Sequence, residues 1–306
     1  PMPSYKTIQR NKDRFFGPGG KGMEVMMEAE RLLGGRRVDF DPTMFLDSGI
    51  CPEYSAPQKI PVCEADVLEQ AEKDAKAAEI RRSMAVKVNK EYIGKEAECA
   101  LDGSGVGTKG SGIYIGLVWS LNKRNFIKQH VLLDVRTQKV VSFSITPEAP
   151  GDARVMPAIV RGTLKMGVCL VRLLADGAYD TVANWMLIEE IDLDFNPNLK
   201  EKFKDDKDLV TRHALRMIEE ALGKERHHRI SGYNMRWLVE SFFSVIKKLY
   251  GERVKDRLFR MMAISMTIRY TLYNIRRGYI LRFVDEHCEL DERLEVINRQ
   301  EVMADL

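Results

Sequence analysis

The chain has 306 residues, 44% hydrophobic and 30% charged, proportions of a globular protein that exclude wholesale disorder. Forty-eight basic residues against 45 acidic ones leave a net charge of only +3, so the chain as a whole is no polycation. No apolar run approaches the ~18–20 residues of a membrane span. The first fourteen residues, Pro1 to Arg14, are polar and charged, without the apolar core of a secretory signal. Five scattered cysteines (Cys51, Cys63, Cys99, Cys169, Cys288) form no C-x-x-C pair, which argues against a disulfide framework or a zinc ribbon. These features predict a soluble, reduced, cytoplasmic protein.

Residues 1–92 read as a mainly helical or irregular N-terminal region. Met23 to Leu33 is a short helix candidate closed by Gly34-Gly35, and a loop rich in proline and glycine follows from Asp41 to Pro61. Glu64 to Met84 is a charged, alanine-rich helix with few large apolar residues, a composition usual for a surface or linker element and one that could lie against a partner chain or DNA. The 1–92 region as a whole is a candidate for DNA-end binding or dimerisation. From about Glu96 the texture changes. Leu101-Asp102 runs into a glycine-rich stretch, Gly103-Ser104-Gly105-Val106-Gly107, and Gly112 to Trp119 again has strand composition. Val131–Val135 and Val140–Ile145 are two strands joined by a hairpin-length link. Asp152 can cap a helix running to about Leu164. Val168 to Ala175 is an apolar run that suits a buried central strand, and it stops at Asp176-Gly177.

Thr181 to Ile191 has helical period, and Leu193 to Asn196 with Pro197 reads as a short strand. A helical insertion is expected at about 199–225, then two strong helices, Tyr233–Tyr250 and Leu258–Ile275. The order of elements predicts an α/β sheet in which three early strands are antiparallel neighbours and the later ones are joined by helical crossovers. The natural division is 1–92 and 93–306.

Charge is unevenly distributed. From Lys224 to Arg282 fourteen Lys or Arg face four acids (Glu225, Glu240, Glu252, Asp256), interleaved with Tyr233, Trp237, Tyr250, Tyr270 and Tyr273. That is the footprint of a polyanion binder or of a solvated helical face. His227-His228 could bind metal or contact phosphate. Three acids stand where a metal site could be built. Asp102 lies in the first strand beside small residues, and Asp176 lies at the C-terminal tip of the apolar strand, where open α/β sheets gather their ligands. Glu240 lies in the Tyr233–Tyr250 helix. On that helix Leu238, Val239, Phe242, Val245, Ile246, Leu249 and Tyr250 fall within roughly 140° of arc. Tyr233, Arg236, Glu240 and Lys247 cluster within about 60° on nearly the opposite side. Arg236 and Glu240, at i,i+4, would ordinarily make an ion pair.

The row from Tyr233 through Arg236 and Glu240 to Lys247 fits Y-x2-R-x3-E-x6-K at every fixed position. It resembles the motif of DDE transposases from bacterial and archaeal insertion sequences. Leu101-Asp102-Gly103-Ser104-Gly105 looks like that family's first-aspartate motif. Ala175-Asp176-Gly177-Ala178-Tyr179-Asp180 looks like its A-D-x-G-Y-D motif shortened by one residue, and Thr146–Asp152 is similar to its T-P-G-N-x-x-D loop. The resemblance covers about Glu96 to Arg277 in the family's order. It implies a ribonuclease H-like catalytic domain with two Mg²⁺ ions, replaceable by Mn²⁺, held by Asp102, Asp176 and Glu240 as the catalytic and metal residues. Tyr233, Arg236 and Lys247 would then be DNA-binding residues that grip the transposon end. The implied partners are transposon-end and target DNA and a second copy of the chain in a synaptic complex, associated with the nucleoid and with no membrane. Asp176 is preferred to Asp180 because it directly follows the buried strand, and Asp134, Asp152 and Asp194 read as loop or capping acids. The alternatives are a nuclease of the same fold without strand transfer, or a DNA-binding remnant without chemistry.

Overall fold

The computed structural model describes residues 41, 43–53, 74–75, 77–108, 126–148, 151–201, 203 and 209–287. The expected helix at 23–33, the strand-like run at 112–119 and the first half of the 64–84 helix lie outside these residues. The strands are β1 (Phe45–Asp47), β2 (Lys87–Asn89), β3 (Glu96–Thr108), β4 (Phe126–Asp134), β5 (Val140–Pro147), β6 (Cys169–Ala175), β7 (Asp194–Pro197) and β8 (Arg253–Val254). The helices are α1 (Asp152–Lys165), α2 (Val182–Ile191), α3 (Val210–Leu222), α4 (Lys224–Ile230), α5 (Trp237–Tyr250) and α6 (Phe259–His287). Residues 74–75 and 77–83 are also helical.

All eight strands join one mixed sheet in the order β1-β2-β5-β4-β3-β6-β7, with β8 pairing β3. The three early strands β3, β4 and β5 are antiparallel neighbours, and β6 and β7 add on in parallel, as the element order predicts. The β4–β5 hairpin is tied by Asp134, whose carboxylate accepts from the Arg136 amide (2.9 Å) and the Thr137 hydroxyl (2.7 Å). Side chains alternate across β3. Cys99 and Leu101 pack with α1 and α2, whereas Ala100 and Val106 pack with α5 and α6. Both faces are therefore covered, which explains why β5 is buried along its whole length and why its hydroxyls need partners. Ser142 pairs with Thr163 (2.6 Å), and Ser144 donates to the Met84 carbonyl (2.6 Å). This helix-covered mixed sheet is the ribonuclease H-like architecture that the resemblance implies.

Several local expectations change. β1 and β2 fall in the stretch read as helical or irregular, and β2 pairs with β5, so the sheet draws strands from both sides of residue 92. Each is only three residues long, too short to show an alternating pattern. Asp152 is the first residue of α1 and not its cap; Gly151 holds the cap position. Among the described residues, the expected insertion is helical over α3 and the start of α4. The expected helix from Tyr233 begins with a 3-10 turn, Tyr233–Arg236, before α5 proper.

The face that α5 buries also differs. Val239, Phe242, Phe243 and Ile246 are buried, whereas Val245 and Leu249 are 39% and 41% exposed. The i, i+3, i+4, i+7 strip is rotated by roughly 40° from the expected apolar arc, toward Phe243. Glu240 and Lys247 thus border the buried strip rather than oppose it, and Lys247 reaches β3. Among the described residues no helix is long and apolar enough to cross a membrane.

Candidate active site

The site lies where β3 changes partners. Its pairing with β6 ends at Leu101↔Ala175, and its pairing with β8 begins at Gly107↔Arg253. Among the described residues no strand pairs with positions 102–106 on that edge. The 3-10 turn and α5 pack there instead. Asp102 and Asp176 each follow the last paired residue of adjacent parallel strands, so their backbones stand one strand spacing apart, about 4.8 Å. The parallel ladder alone brings these two carboxylates together at the C-terminal end of the sheet.

The Asp102 side chain is 20% exposed. Its Oδ1 accepts from the Gly103 amide (2.8 Å). Asp176 heads a 3-10 turn, and its Oδ1 accepts from the Gly177 amide (2.6 Å). A Cβ at Gly177 would lie 3.0 Å from the Asn198 carbonyl oxygen, so the close passage of this turn beneath β7 favours glycine. Glu240, in the first turn of α5 and 53% exposed, accepts from Arg236 (Nη2–Oε1 2.7 Å). The same guanidinium points Nη1 at Asp102 Oδ2, 3.8 Å away. Arg236 therefore stands between the two acids, and the i,i+4 pair expected from the sequence is present.

The electrostatics of Asp102 are unusual for a surface-edge acid. Burial pushes its pKa up to about 6; the Gly103 amide and Arg236 pull it down, while Asp176 and Glu240 add to the rise. Asp102 thus feels both other acids, and a single guanidinium compensates this only in part. The buried Tyr179 phenol follows the same pattern. Burial first, then Asp102, Asp152 and Asp176, hold its pKa well above the ordinary value, and its hydroxyl has no hydrogen-bond partner among the described residues.

Among the described residues no three acid, imidazole or thiol groups are gathered tightly enough to hold a metal ion as they stand, since Arg236 engages Glu240. The donor set nevertheless suits a hard divalent cation. It consists of carboxylate oxygens alone, mutually repelling and partly desolvated, at the open edge of a strand.

The predicted DNA-binding residues line the same edge. Tyr233 lies beneath the Arg236 guanidinium (5.8 Å to the ring centroid) and packs against His228 (centroids 4.2 Å apart). Lys247 donates to Ser104 Oγ (3.0 Å), two residues past Asp102, so it braces β3 as well as carrying charge. Trp237 is 48% exposed beside them. Of the two histidines, His227 is buried with Nδ1 unpartnered among the described residues.

Asp180, the alternative second aspartate, is fully occupied. It accepts from Arg212 Nε and Nη2 (2.8 and 2.9 Å), the Trp185 indole (2.7 Å) and the Lys200 amide (2.8 Å). Burial alone would raise its pKa, but Arg212, the Lys200 amide and Trp185 outweigh that and hold it below the ordinary value. Asp194 pairs with Arg172 (2.7 Å). Ser104 and Tyr179, motif residues without a role expected of them, and His130 also border the site. Only their adjacency to the motif aspartates, or in the case of His130 its place opposite Gly103, marks them.

Residues 94–275 match the family model described as the transposase DDE domain. No curated protein matches the chain. The match spans more than half of the chain, and the chain belongs to the DDE transposase family.

Proposed function

We propose that this member of the DDE transposase family cleaves DNA at the ends of an insertion sequence and joins the freed ends to target DNA. Asp102, Asp176 and Glu240 are its catalytic acids. The observation that carries this reading is the convergence of three acids from separate elements on the unpaired stretch of β3, with Arg236 reaching both Asp102 and Glu240. In this reading the three acids would hold two divalent ions, Mg²⁺ or Mn²⁺. When bound, such ions activate a hydroxyl nucleophile and stabilise the leaving oxygen of an in-line displacement.

The chain's own residues do the rest. Asp102 and Asp176 would hold the cations at the end of their parallel pairing, and Glu240 would complete the set from α5. Arg236 supplies a planar fork for phosphate oxygens once it leaves Glu240, and Lys247 supplies a point charge held in place by Ser104. Tyr233 gives the guanidinium a flat support. Strand cleavage and joining at two ends call for two copies of the chain, and residues 1–92, apart from strands β1 and β2 that complete the sheet, are assigned to end binding or dimerisation, with 93–306 as the catalytic domain.

The experiment supplies pre-cut duplex ends, a target plasmid and Mg²⁺. A joined product is expected, and each of Asp102→Ala, Asp176→Ala and Glu240→Ala abolishes it. Nicking without joining would identify a nuclease of the same fold. Duplex binding without any metal-dependent product would identify a DNA-binding remnant.

A further inference from the structure

We propose that Asp152, held behind Gly103 by Lys128 and beside the buried His130 ring, is a positioning residue that fixes the direction of the Asp102 carboxylate. The inference rests on the reading of Asp102 as a metal-holding acid.

Asp102 and Gly103 point to opposite faces of β3. Asp102 faces α5, and Gly103 faces α1. A Cβ built on Gly103 would lie 2.7 Å from Asp152 Oδ1, 3.1 Å from its Cγ and 3.2 Å from His130 Nδ1. No side chain fits at position 103 while the Asp152 carboxylate stays where it is. That carboxylate is held from the neighbouring strand β4 by Lys128 Nζ (3.2 Å), and the buried His130 ring, its pKa lowered to about 4 by burial, sets Nδ1 3.4 Å from it without a hydrogen bond. His130 is itself the cross-strand partner of Gly103. It is wholly buried, and its Nε2 is bonded to Thr146 Oγ1 of β5 (2.9 Å). Side chains from α1, β4 and β5 therefore converge on the backbone one residue beyond Asp102.

A helix-capping role accounts for less of this. An acid in the first turn of α1 is favoured by the helix dipole, but that effect needs neither a glycine opposite nor an imidazole buried beneath. Two buried polar atoms at this spot also lack hydrogen-bond partners among the described residues, His130 Nδ1 and the Tyr179 hydroxyl. Such groups are costly and concentrate at functional sites. Tyr179 feels the charges of Asp102, Asp152 and Asp176 together, so Asp152 belongs electrostatically to the same acid cluster although it approaches from the other face. Outer partners of this kind orient the ligands that touch a metal, and removing one typically lowers metal affinity about 10–100-fold.

The test measures Mn²⁺ binding to the metal-free 306-residue chain by electron paramagnetic resonance, with duplex binding in EDTA and the melting temperature recorded alongside. The variants are Asp102→Ala, Asp152→Ala, Gly103→Ala and the double variant Gly103→Ala/Asp152→Ala. Asp102→Ala is expected to lose Mn²⁺ binding. Asp152→Ala and Gly103→Ala each weaken it about tenfold with unchanged duplex binding, and the double variant is no worse than the weaker single, because both act through one contact. Gly103→Ala keeps the carboxylate and only displaces it, so it decides the matter alone if Asp152→Ala does not fold. Wild-type Mn²⁺ affinity in folded Asp152→Ala, or in Gly103→Ala, overturns the proposal while leaving the reading of the site intact. Wild-type affinity in Asp102→Ala overturns both.

Discussion

Asp102 and Asp180 are both largely buried acids near the end of the paired stretch of β3 and β6, yet their surroundings differ. Asp180 accepts four hydrogen bonds, two of them from Arg212, and its charge is compensated on every side. Asp102 accepts one, from the amide of its neighbour, and its nearest cation is 3.8 Å away while two further acids act on it. A buried charge that is fully partnered holds elements together, here α3 to the end of β6. A buried charge left short of partners, next to others of its own sign, lowers stability and stores affinity for a cation. The contrast marks Asp180 as a structural acid and supports the proposed catalytic role of Asp102.

The largest expected effect breaks the comparison on its functional side. Replacing Asp102, Asp176 or Glu240 by alanine should lower strand cleavage about 1000-fold, the equivalent of ~4 kcal/mol, while far-ultraviolet circular dichroism stays that of the wild type. Asp180→Ala should do the reverse. It strands the Arg212 charge in the interior, which costs about 3–5 kcal/mol, so the melting temperature should fall by roughly 10 °C before any effect on the acids is seen. A stable Asp180→Ala protein without cleavage activity would exchange the two assignments.

A pH titration sharpens the contrast. Asp102 has its folded pKa raised to about 6, above the ordinary carboxylate value of about 4. Its contribution to stability is therefore present below pH 4 and lost as pH rises through 6, amounting to at most about 3 kcal/mol. Asp102→Asn suffers no such loss. In EDTA the stability of this variant relative to wild type, from urea unfolding, should grow between pH 4 and pH 6 and level off above 7. A difference independent of pH would mean that Asp102 is an ordinary acid.

Two smaller effects come from the cations. Lys247→Met removes the bond to Ser104, worth about 1 kcal/mol. If Lys247 also neutralises a phosphate, the salt dependence of duplex binding should flatten by about 0.9; an unchanged slope would leave it a brace alone. Asp194→Ala breaks a half-exposed pair with Arg172 and should change stability by less than about 1 kcal/mol.

Much of the sheet was legible in the sequence because long apolar runs leave few alternatives. Val168–Ala175, bounded by Asp176-Gly177, became β6, and the Val131 and Val140 runs became β4 and β5. The two acids at strand ends were legible for the same reason, since a parallel ladder places residues that follow paired positions side by side. What stayed hidden depends on tertiary contact. β1 and β2 are strands only because β5 offers an edge. Phe243 is buried in place of Val245 and Leu249 because the strip of α5 that meets the sheet is set by how α5 sits between β3 and α6, which helical period alone does not specify. The same rotation takes Lys247 to Ser104. The pocket behind Gly103 joins four elements whose residues are scattered from 103 to 152, and spacing within the chain gives no hint of it.

The most direct test of the central claim is anomalous diffraction at the manganese edge from crystals of the chain soaked in Mn²⁺ with a short duplex bound. The account predicts manganese within ligand distance of Asp102, Asp176 and Glu240, with Arg236 swung from Glu240 onto the DNA. No manganese at these acids, with Arg236 still bonded to Glu240, would contradict it.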